Sequence, residues 1–201
     1  MCFWVTILRS ILDNESYYTI NNNLTDGSVG ARKCRSVRDS IFVISAVTNS
    51  LRNAHCETIQ LQVMEAIKYF DKLWLQSCIN SLYEAGIDND YLNLLYIDNR
   101  NANIAVKINN QLSSRISVKD VVMQGSVWGS LKCTIKLDTL NKTALSDDTI
   151  QYYYCNDPNI PIGVLGMIND TLGVSKCGKD EIKKNALIHS FMKTHRLTFS
   201  R

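Results

Sequence analysis

Ile160 to Gly178 reads IPIGVLGMINDTLGVSKCG, and this stretch decides the fold that the sequence predicts. Two apolar runs of strand length, residues 164–168 and 171–174, flank the polar pair Asn169–Asp170. Apolar runs around a two-residue polar break are typical of a β-hairpin, so we expect these two polar residues at its tip. Asn and Asp favour turns by themselves, and the hairpin therefore gains functional meaning only beside other segments.

The composition is that of a globular protein. The 201 residues are 45% hydrophobic and 20% charged, which excludes a disordered or fibrous chain. This length fits one domain, or one and a half, with a core of its own, and no Pro-rich or Gly/Ser-rich linker marks a boundary. The net charge of +3 neither requires nor excludes a nucleic-acid partner.

The cysteines and the N-terminal segment concern the cellular compartment. The seven cysteines include no C-x-x-C pair, and their odd number argues against a disulfide framework, so we expect reduced thiols in an intracellular protein. The apolar segment that starts at Met1 has no basic leader and is interrupted by Arg9. It therefore predicts no signal peptide, no transmembrane segment and no membrane partner, and it suggests a chain that begins inside a larger fold.

Helical spacing of apolar residues predicts five helices. The first follows an N-cap at Ser36, the second ends at Gly86, a short one begins near Asp90, and the last begins near Asp180. A further helix follows Gln124. The expected inward-facing residues of this helix are Trp128, Leu131 and Ile135. Those of the second helix are Trp74, Leu75, Cys78, Ile79 and Leu82.

Alternating apolar residues predict strands over 59–64, 104–108 and 116–118. The last two should form a second hairpin around the polar residues 109–111. Strands and helices are mixed without a regular βαβ repeat. The sequence therefore predicts an α+β fold and not a doubly wound sheet.

Two carboxylates and one turn are the candidates for chemistry. Glu65 ends a predicted strand, Asp170 lies in the central hairpin, and Gln124–Gly125 forms a turn before a helix. Carboxylates that converge from separate segments are suitable ligands for Mg²⁺ in phosphoryl or nucleotidyl transfer. The three histidines are dispersed, and the sequence contains no zinc pattern, P-loop, dinucleotide fingerprint or Ser-His-Asp signature.

A basic cluster precedes the first predicted helix. Such a cluster is by default a solvated face, and phosphate binding at the helix N-terminus is the alternative. Its members are Arg32, Lys33, Arg35 and Arg38.

Four segments resemble, in order and spacing, the palm of the reverse transcriptases of non-LTR (LINE-like) retroelements. They are GARKCRSVRDSIF (30–42), VMEAIKYFDKLW (63–74), VMQGSVWGSL (122–131) and GMINDT (166–171). They are similar, respectively, to that family's G-F-R-x-x-R-S-x-x-D-x-I-F segment, its D-x-x-K-A-F-D motif, its Q-G-x-x-x-G/S-x-L motif and its Asp-Asp hairpin. The resemblance covers most of the chain.

The resemblance implies an RNA-directed DNA polymerase with a palm-like antiparallel sheet and helices on one face. It implies two Mg²⁺ ions as the cofactor. The implied partners are an RNA template, a DNA primer and deoxynucleotides. Residues 1–58 would be part of the fingers and residues 59–201 the palm, either as two units or as one continuous domain, with the upstream fingers motifs and the thumb outside the chain.

The resemblance also implies a role for each matching residue. Glu65 takes the place of the first catalytic aspartate, and Asn169 and Asp170 take the places of the aspartate pair, with Glu65 and Asp170 as metal ligands. Phe70 would lie beneath the sugar of the nucleotide, where it would exclude a 2′-hydroxyl. Gln124 and Gly125 would contact template and nucleotide. Arg32, Lys33, Arg35 and Arg38 would lie near template phosphates.

Two departures from the family pattern affect the metal site. Glu65 adds a methylene where the family has Asp, and a displacement of about 1 Å can slow a reaction on the order of 10²-fold. Asn169 removes a charge, and the lost stabilisation corresponds to roughly 10³-fold or more. We therefore expect a reverse transcriptase domain with an impaired metal site. The alternatives are a non-catalytic remnant that at most binds nucleic acid and a small α+β domain with accidental motifs.

Overall fold

The computed structural model describes residues 22–32, 34–53, 60–100, 102–124, 128–147, 152–153, 161–162, 164–168, 170–175 and 178–198. Three candidate site residues, Lys33, Gly125 and Asn169, lie outside these ranges, so their predicted roles stay predictions.

A three-stranded antiparallel sheet forms the centre of the molecule. Strand β1 (Gln60–Glu65) pairs with β9 (Asp170–Ser175), which pairs with β8 (Val164–Met167), in the order β1-β9-β8. Ser28 continues the sheet beyond β8 through a parallel bridge to Gly166. The predicted central hairpin is thus present, and both its strands belong to the main sheet.

The structure describes six helices and three short strand pairs besides this sheet. The helices are α1 (Val37–Asn53), α2 (Tyr69–Lys72), α3 (Leu75–Glu84), α4 (Asn89–Arg100), α5 (Gly129–Leu145) and α6 (Gly178–Thr194). The short antiparallel pairs are β2 (Asn103–Ile104) with β5 (Ile116–Ser117), β3 (Lys107–Ile108) with β4 (Gln111–Leu112), and β6 (Tyr152–Tyr153) with β7 (Pro161–Ile162).

Among the described residues, two hydrophobic cores hold these layers together. The first lies between one face of the sheet and helices α5 and α6, and includes Met64, Val164, Leu137, Leu140 and Ile188. The second joins α3, α4 and α5, and includes Leu75, Leu82, Leu92, Leu95 and Ile135. Helices thus cover one face of a small antiparallel sheet, which confirms the predicted α+β fold.

Helix α3 ends as the sequence predicts but begins differently. Gly86 has φ of 86°, and the N–H groups of Gly86 and Ile87 donate to the carbonyls of Tyr83 and Leu82, which forms a Schellman cap. The prediction that Trp74 faces inward is wrong, because its backbone is extended and bridges Val121. The Trp74 side chain is 57% exposed.

Candidate functional site

Glu65 and Asp170 lie directly opposite each other on β1 and β9. Directly opposite residues of an antiparallel pair have Cβ atoms about 4.5–5.5 Å apart and project to the same face. Their neighbour Met64 is buried in the first core, whereas both carboxylates are exposed. The two acids therefore lie side by side on the face of the sheet that helices α5 and α6 leave open.

The electrostatics of the pair are unfavourable without a cation. Burial raises the pKa of the Asp170 carboxyl above its ordinary value, and the negative charge of Glu65 raises it further. Each proton or cation that enters between the two carboxylates reduces this repulsion. The pair is thus arranged to attract a positive charge.

The hairpin turn lies one residue earlier than the sequence predicts. Asp170 is the first residue of β9 and pairs with Met167, so the described part of the turn is Ile168. The expectation that Asp170 lies at the tip is therefore corrected. The physical reason is register, because continuing the ladder to Glu65 draws Asp170 into the strand.

Ile168 in this turn has φ of 57°, a left-handed conformation that is rare for a β-branched residue. The left-handed region is unfavourable for such a side chain by roughly 1–2 kcal/mol. Packing compensates, because the Ile168 side chain lies against the first core. The turn also needs a close neighbour without a side chain, since a Cβ on Gly30 would lie 2.8 Å from the Ile168 backbone nitrogen.

A buried carboxylate fixes the segment that carries Gly30. Oδ1 of Asp138, in α5, accepts hydrogen bonds from the Thr25 backbone N–H at 3.0 Å and from Ser28 Oγ at 2.7 Å. Its Oδ2 lies 3.2 Å from Lys142 Nζ. The sequence analysis missed Asp138, because nothing in its neighbourhood along the chain distinguishes it from a solvated helical acid.

Two other candidate residues lie outside the sheet. Phe70 follows β1 along the chain, and Gln124 precedes α5. Phe70 is in α2, partly buried against the first core, with its ring edge-on to Tyr69 at a centroid distance of 6.5 Å. Tyr69 in turn donates a hydrogen bond to the Cys133 carbonyl of α5 at 3.2 Å. Gln124 is exposed in the turn before α5. Nothing in the structure tests the nucleotide contacts that the resemblance implies for them.

The basic cluster divides into residues with different roles. Arg32 Nη1 donates to the backbone carbonyls of Thr25 and Ser28 at 2.7 and 3.0 Å, so this guanidinium braces the loop. Arg35 pairs with the exposed Asp26 at 2.5 Å. Arg38 lies in the first turn of α1 and is exposed. Of the three, Arg32 is the least suited to a phosphate, because it already holds its own chain.

The metal-binding capacity of the described ranges is limited to small sets of ligands. No group of three or more His, Cys, Asp and Glu side chains that could hold a metal ion occurs among these residues. Two carboxylates can still hold Mg²⁺ when substrate phosphates and water supply the remaining oxygens. Glu65 and Asp170 therefore fit one such ion.

No helix in the described part of the chain is long and apolar enough to cross a membrane.

Comparison with solved structures shows the fold. The chain matches apo telomerase from Candida tropicalis truncated from the C-terminal domain with a TM-score of 0.64 and 12% identity, over 97% of this chain and 40% of that one. Apo telomerase from Candida tropicalis gives 0.66 and 12%, over 98% and 35%. Telomerase from Candida albicans in complex with a fragment of telomeric RNA gives 0.59 and 11%, over 98% and 34%. No family model and no curated protein matches.

These matches share an architecture and little sequence. The chain spans 40% or less of each of these telomerases, and at 10–12% identity the likeness shows the fold alone. The chain therefore has an α+β fold of the kind found in telomerases.

Proposed function

We propose that this chain is a reverse transcriptase domain of the non-LTR retroelement type, which acts in template-directed DNA synthesis on RNA. The observation that carries this proposal is the pair Glu65 and Asp170, opposite each other on the open face of a sheet that telomerases, which are polymerases related to reverse transcriptases, also possess. The partners are an RNA template, a DNA primer and deoxynucleotides. Residues 1–58 belong to the fingers and residues 59–201 to the palm.

Glu65 and Asp170 would hold Mg²⁺, which when bound activates the attacking hydroxyl and stabilises the leaving oxygen. Phe70 follows β1 on a short helix that is fixed to α5 through Tyr69, and in this proposal its ring contacts the sugar of the nucleotide. Gln124 is exposed before α5, where it can contact template or nucleotide. The RNA in the complex of the Candida albicans telomerase supports a nucleic-acid partner for this chain.

The same site supports a second candidate function, a remnant that binds nucleic acid without catalysis. Only two carboxylates meet on the open face among the described residues, and the sequence has Asn at 169. Loss of a charged metal ligand, together with the longer Glu65 side chain, corresponds to a slower reaction by roughly 10³-fold or more. We therefore propose an active-site architecture with impaired activity in this copy.

The proposal is tested by RNA-templated primer extension with a chimera. Residues 59–201 carrying Glu65→Asp and Asn169→Asp replace the palm of an active reverse transcriptase. We expect Mg²⁺-dependent extension, and a further Asp170→Asn change should reduce it by on the order of 10²-fold or more. A folded chimera that binds primer–template and Mg²⁺ but extends no primer would show that this chain is not a polymerase palm.

A further inference from the structure

Two clefts lie next to each other away from the Glu65–Asp170 pair, and they share Asp120 as a common wall. The first has a volume of about 500 Å³ and is lined by Lys72, Trp74, Ser77, Asp120, His195 and Arg196, among others. The second has a volume of about 440 Å³ and is lined by Tyr96, Arg100, Asn103, Ser117, Lys119 and Asp120. No residue of the candidate catalytic site lines either cleft.

The first cleft combines one aromatic side chain with two cations. Trp74 is 57% exposed, although an indole is usually shielded from water. Lys72 and Arg196 line the same cleft, and Lys72 Nζ donates to Thr198 Oγ1 at 2.5 Å. The cleft therefore offers a stacking surface next to two cationic side chains.

The second cleft repeats this combination. Tyr96 lines it together with Arg100 and Lys119, whose side chains are exposed. The Arg100 guanidinium carbon lies 5.7 Å from the centroid of the Tyr96 ring, a cation–π contact that holds the charge beside the aromatic face. Four cations and one shared carboxylate thus line the two clefts, and this local excess of cations favours an anionic ligand.

The backbone strip formed by Asp120 and Val121 lies between the clefts and is held from both sides. The Leu75 N–H donates to the Asp120 carbonyl at 3.1 Å, and Trp74 forms a β-bridge with Val121. Asn99 Nδ2 donates to the Val121 carbonyl at 3.0 Å, which ties the same strip to α4. Because the strip is fixed to α3 and α4, the indole and the phenol that flank it are positioned before any ligand binds.

We propose that the two clefts form one track for single-stranded nucleic acid, with a base stacked on Trp74 and another on Tyr96. The phosphates between and beside these bases contact Lys72 and Arg196 in one cleft, and Arg100 and Lys119 in the other. Aromatic platforms interleaved with cations are the arrangement by which proteins bind single strands without reading sequence. This track goes beyond the proposed polymerase function and does not rest on it, because none of its residues would hold the metal ion.

The test is the affinity of the whole 201-residue chain for a fluorescent eight-nucleotide oligouridine, measured by anisotropy over a range of salt concentrations. Trp74→Ala should weaken binding by on the order of 10-fold, and Trp74→Phe should retain most of it. Tyr83→Ala is the matched control, because Tyr83 is 61% exposed on α3 and lines neither cleft. Equal losses for Trp74→Ala and Tyr83→Ala would overturn the proposal.

The charges are tested separately. Arg196→Gln and Lys119→Gln should each lower the slope of log affinity against log salt by about 0.7, the value for one phosphate of a single strand. Lys193→Gln is the control, since Lys193 is an exposed cation near the end of α6 that lines neither cleft. Unchanged slopes for the two cleft variants would overturn the track.

Two competitors distinguish the sources of the ligand. Uridine monophosphate should compete far less well than the oligonucleotide, because it occupies one cleft only, and equal competition would replace the track with a mononucleotide pocket. If a poly-glutamate peptide competes equally, and Trp74→Ala leaves its binding unchanged, the clefts are only a general anion-binding surface, and the track is overturned. Asp170→Asn should leave oligouridine binding unchanged, so failure of the polymerase proposal and failure of the track are distinguishable.

Discussion

Gly30 and Ile168 are in closer contact than any side chain on residue 30 would allow. A Cβ on Gly30 would lie 2.8 Å from the Ile168 backbone nitrogen and 2.9 Å from its Cγ1. The left-handed conformation of Ile168 turns the chain from β8 to β9 at this point. The loop before α1 therefore supports the turn that places Asp170 opposite Glu65.

Gly30→Ala should destabilise the protein by about 1–3 kcal/mol, because the added methyl group would force backbone to move. Urea-induced unfolding measures this change. Gly173→Ala is the matched control, since no atom lies within 4 Å of a Cβ built there. It should leave stability unchanged or raise it by up to about 1 kcal/mol. Similar losses for both variants would contradict the proposed contact.

Glu65→Gln should stabilise the metal-free protein at pH 7, although it weakens Mg²⁺ binding. Like charges directly opposite on neighbouring strands are unfavourable, by about 0.2–1 kcal/mol. The raised pKa of Asp170 means that the folded state binds more protons in the window above the unfolded pKa, so stability falls as pH rises through that window. The gain from Glu65→Gln should therefore vanish near pH 3, where the carboxyls are protonated.

Chemical unfolding at the two pH values, with Mg²⁺ titration by calorimetry, measures both effects of Glu65→Gln. Glu84→Gln serves as control, because Glu84 is an exposed acid at the end of α3. It should leave Mg²⁺ affinity unchanged. A Glu65→Gln variant that loses stability together with metal affinity would contradict the repulsion between the two carboxylates.

Arg32→Gln and Arg38→Gln should affect different properties. Arg32 donates to two backbone carbonyls, and its loss should destabilise the protein by roughly 1–3 kcal/mol. If Arg38 contacts a phosphate, its loss should leave stability nearly unchanged and lower the salt slope of primer–template binding by about one. Unfolding and binding titrations on both variants measure this. If Arg38→Gln lowers stability and Arg32→Gln lowers only the salt slope, then Arg38 and not Arg32 holds the loop.

The burial of His195 should make stability pH-dependent. Burial, and to a smaller extent the charge of Lys136, lowers the pKa of His195 to about 4, and the ring lies edge-on to Phe191. Between the ordinary pKa near 6.5 and the lowered value, the unfolded state binds the proton and the folded state does not. Stability should therefore fall as pH decreases through this window.

His195→Phe should flatten this dependence, as measured by urea unfolding from pH 7.5 to 5. His189→Gln, at an exposed position of α6, should preserve the slope of the parent protein. Parallel slopes for His195→Phe and the parent protein would show that His195 does not cause the dependence.

The sequence predicted the features that depend on neighbouring residues. Gly86 ends α3 through a cap made by the preceding turn, and Ser36 directly precedes α1, where its N–H donates to the Asp39 carboxylate at 2.8 Å. Asn109 and Asn110 both have positive φ in the turn of the second hairpin, a conformation that Asn tolerates. Each of these signals lies within a few neighbouring residues, so it can be recognised in the sequence.

The features that the sequence did not reveal depend on residues far apart along the chain. Asp138 accepts hydrogen bonds from Thr25 and Ser28, more than a hundred positions earlier, and no local pattern indicates such partners. Trp74 fits the apolar periodicity of α3, but its pairing with Val121 draws its backbone into an extended conformation. Helical periodicity alone could not reveal this pairing.

The last prediction concerns the two departures from the family pattern. In the chimera that carries residues 59–201, the palm with Glu65→Asp and Asn169→Asp should incorporate nucleotides faster than the unchanged palm by on the order of 10³-fold or more. The shorter carboxylate removes a displacement of about 1 Å, and the new aspartate restores a charged ligand. Single-turnover incorporation with Mg²⁺ measures the ratio at equal enzyme concentration. The single changes should give intermediate rates, with Asn169→Asp the larger gain, because a missing charge affects metal binding more than a misplaced one. Equal rates for both palms would show that Glu65 and Asn169 are competent substitutes, and the site would then be altered without being impaired.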